Sequence, residues 1–313
     1  MKYLKLIRYQ NLLLIALMQF ILRYGFLKYQ NMPLVLNEWQ YALLVLSTVL
    51  IAGGGYIIND IMDQDTDTSN KPEKMVIGKS ISEATAFNIY FGFNIVGMLI
   101  GFYLANFVDK TSFFGIFIIS SSLLYLYSTN LKQIAVVGNA VVALVLALSV
   151  IVVGMFDIIP WLTYSSPEEA AKLKVLLMIL LDYAVFAFVI NLIREIVKDA
   201  EDIEGDNNEG MRTLPIVLGI PKTTKILFGI GLLAVGTLLW YINKNLMENR
   251  LYLAVIYAYV FVVAPLGFFL IKIWNAKEKK DFSLLSTVLK WIIFFGILSI
   301  LVITLNIQQH VKG

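Results

Sequence analysis

The stretch YALLVLSTVLIAGGGYIINDIMDQDTD, residues 41–67, decides the fold class of this chain. Its first part is apolar and belongs to a stretch long enough to cross a bilayer, which takes about 20 helical residues. The helix then runs without a clear break into an acidic cluster that ends at Asp67. Charge at membrane depth is costly without a partner, so carboxylates at the end of such a helix predict a functional site.

A second acidic cluster, REIVKDAEDIEGD at residues 194–206, follows another apolar stretch. Both clusters contain residues spaced by four, which share one helix stripe with about 6 Å of rise between neighbours. The stripe residues are Asn59, Asp63 and Asp67 in the first cluster, and Arg194, Lys198, Asp202 and Asp206 in the second. Like charges at this spacing repel, so we expect a cation between the carboxylates.

The composition identifies an all-α polytopic membrane protein. The chain has 313 residues, an apolar content of 59% and a mean hydropathy of +0.77, too hydrophobic for a soluble domain. We predict one membrane domain, residues 1–313, with nine transmembrane helices. The apolar stretches lie near residues 9–27, 34–57, 83–106, 112–129, 133–156, 171–196, 223–243, 250–273 and 285–306.

Several kinds of chemistry are excluded by what the sequence lacks. There is no cysteine, and the one histidine, His310, lies in the C-terminal tail, so thiolate and histidine metal sites are not expected. The net charge of +3 is spread out, with no basic run for nucleic acid. The triplet Gly53-Gly54-Gly55 lacks the Lys-Ser/Thr of a nucleotide-binding loop, so we expect it to serve close helix packing.

Charge asymmetry predicts the orientation. With the N-terminus inside, 17 of the 25 lysines and arginines lie in or beside the inner segments. The positive-inside rule then puts the N-terminus and both acidic loops in the cytoplasm of a multi-pass protein of the cell (inner or plasma) membrane.

The chemistry of the clusters favours magnesium and a diphosphate. Mg²⁺ prefers hard oxygen ligands and commonly bridges carboxylates to substrate phosphate oxygens. Arg194 and Lys198, with Lys71 and Arg212 from the loops, supply positive charge for the diphosphate.

These motifs resemble those of the UbiA-type intramembrane prenyltransferases. The first family motif, Asn-Asp-x-x-Asp-x-x-x-Asp, is matched from Asn59 to Asp67, and the second, Asp-x-x-x-Asp, by Asp202 and Asp206. A third match, Tyr-Ser-x-x-Leu-Lys, spans 127–132 and implies diphosphate binding by Lys132. The resemblance implies helices around a central cavity, catalytic Asp63, Asp67, Asp202 and Asp206, and Mg²⁺ on these four and Asn59.

Within that family, the run from Arg194 to Asp206 followed by Arg212-Thr213-Leu214-Pro215 is most similar to the digeranylgeranylglyceryl phosphate synthases. That resemblance implies transfer of a geranylgeranyl group from its diphosphate to geranylgeranylglyceryl phosphate, which makes an ether lipid. Lys71 stands where the family often has arginine, so bidentate phosphate binding there is in question. Beyond the two substrates and the bilayer, we expect no obligate protein partner.

Alternatives remain at this point. An aromatic prenyltransferase for a quinone, haem or chlorophyll precursor differs only in its acceptor pocket, and a secondary transporter also uses intramembrane acids. An alternative for Arg194 and Lys198 is that they are snorkelling residues at the membrane interface. An alternative for the first cluster is a solvated loop that only ends its helix. Glu195, Asp199 and Glu201 lie off the stripe, as supporting or solvated residues. The roles of Gln19 and Arg23, which interrupt the first span, stay undecided.

Overall fold

The fold of this chain is helical throughout the part that the structure describes. The computed structural model describes residues 1–30, 32–64 and 75–312, with side chains up to Gln309. Over these ranges, pairing of the strand type is limited to two isolated bridges. The all-α prediction is confirmed.

Nine helices of the described ranges are long and apolar enough to cross a membrane. This confirms the predicted set of spans. They are α2 (Tyr9–Gln30), α3 (Glu38–Met62), α4 (Glu83–Phe107), α5 (Thr111–Thr129), α6 (Val137–Asp157), α7 (Pro167–Glu201), α10 (Ile220–Met247), α11 (Tyr252–Ile273) and α12 (Lys279–Gln309). The described ranges also contain three short α-helices: α1 (Lys2–Leu6), α8 (Ile203–Asn208) and α9 (Leu214–Leu218).

The two helices that lead to the acidic clusters extend beyond their predicted C-terminal bounds. The predicted span 34–57 is observed as α3 at Glu38–Met62, and the span 171–196 as α7 at Pro167–Glu201. A capping box starts α3: the Gln40 amide donates to Asn37 Oδ1 and the Asn37 amide to Gln40 Oε1, both at 2.9 Å. The capping box fixes the start of α3 at Asn37, later than the predicted bound at residue 34.

The contacts of the chain divide it into two compact units, and the first acidic cluster belongs to unit 1. Unit 1 comprises Met1–Phe20, Asn31–Lys132 and Leu144–Ala184, with α3 packed on α4 and α5. A Cβ at Gly54 would lie 2.6 Å from Asn94 Nδ2, and one at Gly55 would lie 2.8 Å from Leu124 Cδ1. The glycines therefore permit close packing of α3, as predicted.

Unit 2 carries the second acidic cluster. It comprises Ile21–Gln30, Gln133–Ala143 and Val185–Gly313. Its core includes side chains of α7, α11 and α12, among them Ile193, Leu266, Phe269 and Phe282. The prediction that residues 1–313 form a single domain stays a prediction.

The two polar residues that interrupt α2 are both buried. In unit 1, Gln19 Nε2 donates to the Ser149 carbonyl at 2.9 Å and to Thr48 Oγ1 at 3.2 Å. In unit 2, Arg23 is 2% exposed and lies in a π-helical turn, Ile21–Phe26, with its guanidinium 5.9 Å from the Tyr24 ring centroid. Neither residue is at a solvated interface.

Candidate active site

The first acidic motif lies where α3 ends. The Asp63 amide donates to the Asn59 carbonyl at 2.9 Å, so the helical turn continues past Met62. On the same turn, Asn59 Nδ2 donates to Asp63 Oδ2 at 2.7 Å. The structure therefore brings together the first two residues of the predicted stripe. Asp67 and Lys71 lie outside the described residues.

Lys132 lies beside this motif. It belongs to a short 3₁₀ helix, Leu131–Gln133, that follows α5, and its ammonium forms an ion pair with Asp63 Oδ1. The two side chains are only 11% and 17% exposed, so the pairing offsets much of the cost of desolvating each charge. The third sequence match thus places a cation on a predicted metal ligand.

A second ion pair involves Asp60, which lies between Asn59 and Asp63 in sequence. Arg8 Nη2 donates to Asp60 Oδ1 at 2.8 Å, and the guanidinium carbon is 5.0 Å from the centroid of the Tyr56 ring. The last turns of α3 therefore carry two compensated carboxylates, Asp60 and Asp63.

The second acidic motif continues the register of α7. The Asp202 amide donates to the Lys198 carbonyl at 2.9 Å, and the Asp206 amide donates to the Asp202 carbonyl at 3.0 Å. The backbone bends at Asp202 between α7 and α8. The residues spaced by four are nevertheless still joined by helical hydrogen bonds. Asp202 and Asp206 are thus one helical turn apart.

Both cations of the predicted second stripe are held by Glu195. Arg194 Nη1 and Lys198 Nζ each donate to Glu195 Oε1 at 3.0 Å. The Glu195 side chain is 13% exposed, so the carboxylate is largely desolvated by its neighbours. Glu195, which lies off the stripe, therefore positions the two cations that lie on it.

Two further contacts position acidic residues of unit 2. Asn139 Nδ2, near the start of α6, donates to Asp199 Oδ2 at 2.8 Å. Lys279 Nζ, at the start of α12, is 3.7 Å from Asp202 Oδ1. Supporting partners of this kind fix the orientation of carboxylates in metal and phosphate sites.

Arg212 lies in the segment after the second motif. Its amide donates to the Gln133 carbonyl at 3.1 Å, within a bridge between Ile134 and Arg212. The backbone position is thereby fixed, while the residue as a whole is exposed. Diphosphate binding by Arg212 stays a prediction.

The donor atoms fit the expected metal. The candidate ligands offer carboxylate and amide oxygens, which Mg²⁺ prefers, and the hydrogen bond from Asn59 to Asp63 keeps two of them on one helical turn. Within the part of the chain that the structure describes, no group of three acidic or histidine side chains gathers at one point. The full ligand set therefore stays a prediction.

Comparison with known proteins decides the family. Residues 13–303 match the model of the UbiA prenyltransferase family. This chain belongs to that family. It is therefore a prenyltransferase and an integral multi-pass membrane protein, which favours the enzyme over the secondary transporter.

Relatives within the UbiA family cover most of the chain. The digeranylgeranylglyceryl phosphate synthase of Sulfolobus acidocaldarius is 33% identical over 237 residues, which are 73% of this chain and 74% of that one. The enzyme of the same name from Methanococcoides burtonii is 28% identical over 96% of this chain and 98% of its own.

Solved structures show that the fold is that of UbiA proteins. A UbiA homolog from Archaeoglobus fulgidus, bound to GPP and Mg²⁺, superposes with a TM-score of 0.61 at 16% identity and covers 96% of this chain and 99% of its own. A structure from a study of digeranylgeranylglyceryl phosphate synthase in membranes gives 0.64 at 21% identity, over 97% of both chains.

Sequence reasoning missed two residues that contact the motifs, Arg8 and Asn139, and it left Glu195 open between a supporting and a solvated role. The signal for Glu195 was present, because a Glu and a Lys three residues apart are neighbours on a helix. Asn139 is an amide near the start of an apolar span, which is itself a signal of function. Arg8 had no local signal, because it acts on a residue of another helix.

Proposed function

We propose that this chain transfers a geranylgeranyl group from geranylgeranyl diphosphate to geranylgeranylglyceryl phosphate, a step of ether-lipid synthesis. The family sets the reaction type, and the names of the relatives support the donor and the acceptor. The observation that carries the proposal is the end of α3, where Asn59, Asp63 and Lys132 place an amide, a carboxylate and an ammonium together. A metal-bound diphosphate requires both signs of charge in one place.

We propose Mg²⁺ as the cofactor. Its ligands would be Asn59, Asp63 and Asp67 from the first motif, with Asp202 and Asp206 from the second. When bound, Mg²⁺ neutralises negative charge that develops on the leaving diphosphate. The two helical turns identified above keep Asn59 next to Asp63, and Asp202 one turn from Asp206.

The basic residues would bind the oxygens of the diphosphate. They are Lys71, Lys132, Arg194, Lys198 and Arg212. Glu195 holds Arg194 and Lys198 in fixed positions, and donors positioned in advance stabilise developing charge without the cost of reorganisation. As the bond from the allylic carbon to the diphosphate breaks, the electron pair leaves with the diphosphate.

The apolar helices would protect the allylic cation from water. A site between membrane helices excludes solvent, which prevents hydrolysis of the reactive carbon. The acceptor hydroxyl then forms the new carbon–oxygen bond, and its proton passes to a nearby carboxylate. We further propose that both motifs face the cytoplasm, because the positive-inside bias supports that side.

The proposal is tested with purified protein, Mg²⁺ and geranylgeranyl diphosphate. Geranylgeranylglyceryl phosphate and aromatic acids such as 4-hydroxybenzoate are offered as acceptors, and products are identified by mass. We expect ether-lipid product with the first acceptor only. If the protein forms product only with the aromatic acids, the proposed acceptor is wrong; if no acceptor leads to release of diphosphate, the transfer itself is refuted.

The site residues are tested with isosteric variants in the same assay. Asp63→Asn and Asp202→Asn keep the size of each side chain and remove a charge that binds the metal, so we expect turnover to fall by about 100- to 1000-fold. Glu204→Gln is the matched control, because Glu204 is exposed and lies off the stripe between Asp202 and Asp206. Equal activity of Asp63→Asn and the control would contradict the metal assignment.

A further inference from the structure

The N-terminal helix α1 is packed on the part of α3 that carries the first motif. Leu6 is 0% exposed and belongs to a cluster with Ile57, Ile58 and Ile61 of α3. Lys2 Nζ donates to the Ser80 carbonyl at 2.9 Å, which ties α1 to the segment before α4. The first residues of the chain are therefore part of the packing around the motif.

Arg8 is placed by a break between α1 and α2. Its φ is 49°, a left-handed conformation that non-glycine residues rarely adopt. The Arg8 carbonyl accepts from the Asn11 amide at 2.8 Å, and the Arg8 amide donates to the Lys5 carbonyl at 3.0 Å. This turn directs the side chain toward α3, since the guanidinium contacts Asp60 and the ring of Tyr56.

The electrostatic setting favours the charged pair. Partial burial disfavours the Arg8 charge, but the Asp60 carboxylate, followed by Tyr56, outweighs it, so the pKa of Arg8 is raised above its usual value. Asp60 has a side chain that is 19% exposed. Loss of Arg8 would remove this cation from a largely buried carboxylate that is directly next to Asn59 in sequence.

We propose that Arg8 is a positioning residue for the first acidic motif, acting through Asp60. By binding the Asp60 carboxylate, it fixes the turn of α3 that presents Asn59 and Asp63, and it keeps Asp60 from competing with them for the cation. The inference rests on the metal site of the proposed function. It assigns that site a supporting residue from the turn between α1 and α2, and it gives α1 a role in holding that turn beside α3.

Metal affinity is the decisive measurement. Mn²⁺ is titrated by electron paramagnetic resonance into the purified full chain, alone and with inorganic diphosphate. We expect Arg8→Ala and Asp60→Ala each to raise the Mn²⁺ dissociation constant by about 10- to 100-fold, as supporting residues of metal ligands do. Because both act through one contact, we expect the double variant to stay within about twofold of the more affected single variant.

Two further variants separate positioning from general loss of charge or fold. Lys5→Ala removes a cation of α1 that is exposed, and we expect wild-type Mn²⁺ affinity from it. Arg8→Lys keeps the charge but not the planar fork, so we expect partial recovery. Hydrogen exchange of the amides of 57–62 should be faster in Arg8→Ala than in Lys5→Ala, which tests the positioning without any metal.

The inference is overturned if the effects of Arg8→Ala and Asp60→Ala multiply in the double variant, or if neither exceeds that of Lys5→Ala. It is separable from the proposed function. If the Mn²⁺ affinity depends on Arg8 but the wild-type protein transfers no prenyl group, the function alone is refuted.

Discussion

At the scale of single residues, Glu195 controls the charge balance beside the second motif. Glu195→Gln keeps the shape of the side chain but removes the charge that holds Arg194 and Lys198. We expect the KM for geranylgeranyl diphosphate to rise about tenfold, since a hydrogen bond to a charged group contributes about 1.5–3 kcal/mol. Steady-state kinetics with varied donor, at a fixed saturating acceptor, measure this.

The direction of that change in KM is informative. If Glu195 positions the two cations, its loss weakens donor binding. If it competes with diphosphate for them, the KM falls instead, and the positioning role is wrong. Glu204→Gln, a substitution of the same type on the exposed side of α8, should leave the KM unchanged.

The residue pattern predicted neighbours along a helix but not partners between helices. The spacing of four correctly placed Asn59 beside Asp63 and Asp202 one turn from Asp206. Lys132 pairs with Asp63 over a separation of 69 residues, and Arg8 pairs with Asp60 over a separation of 52 residues. Such pairs depend on how the helices pack, which local periodicity does not contain.

At the scale of helices, α4 offers a matched pair of glycines. A Cβ at Gly101 would overlap the Phe117 ring, 2.7 Å from its Cγ, whereas Gly92 has nothing within 4 Å. We expect Gly101→Ala to destabilise the protein by about 1–3 kcal/mol through overpacking of α4 against α5. Thermal unfolding in a fixed detergent measures the change.

Gly92→Ala serves as the control on the same helix. Alanine has the higher helix propensity, by about 0.8–1.0 kcal/mol in soluble hosts, so we expect an unchanged or slightly higher midpoint of unfolding. Equal midpoints for the two variants would show that α4 and α5 adjust without cost, contrary to the close approach of Gly101 to Phe117.

Hydropathy predicted all nine spans but placed several ends inside the observed helices. The ends of α3 and α7 are polar, and their last hydrogen bonds are made by residues of the acidic motifs. A span predicted from hydrophobicity ends where the apolar residues end. The helix itself continues, and this is why the candidate ligands keep helical spacing beyond the apolar stretch.

At the scale of the whole molecule, the absence of cysteine from the sequence makes the orientation directly testable. Single variants Asn208→Cys and Tyr164→Cys put thiols at exposed positions, one just after the second motif and one between α6 and α7. In inside-out vesicles, we expect an impermeant maleimide to label the first and not the second, because the positive-inside rule predicts that the motif faces the cytoplasm.

Right-side-out vesicles provide the reciprocal control, in which only Tyr164→Cys should be labelled. Labelling with the opposite pattern would place the motifs outside and contradict the orientation. Detergent-solubilised protein should label at both positions, which shows that each thiol is reactive.

The packing of α1 has a practical consequence for handling this enzyme. Lys2 and Leu6 already contact the surroundings of the first motif, so an affinity tag or fluorescent protein joined ahead of Lys2 begins within a few residues of that contact. The added domain would disturb the packing of α1 against the end of α3. Purification tags and reporters therefore belong at the other terminus, and kinetic constants from amino-terminal fusions need comparison with cleaved protein.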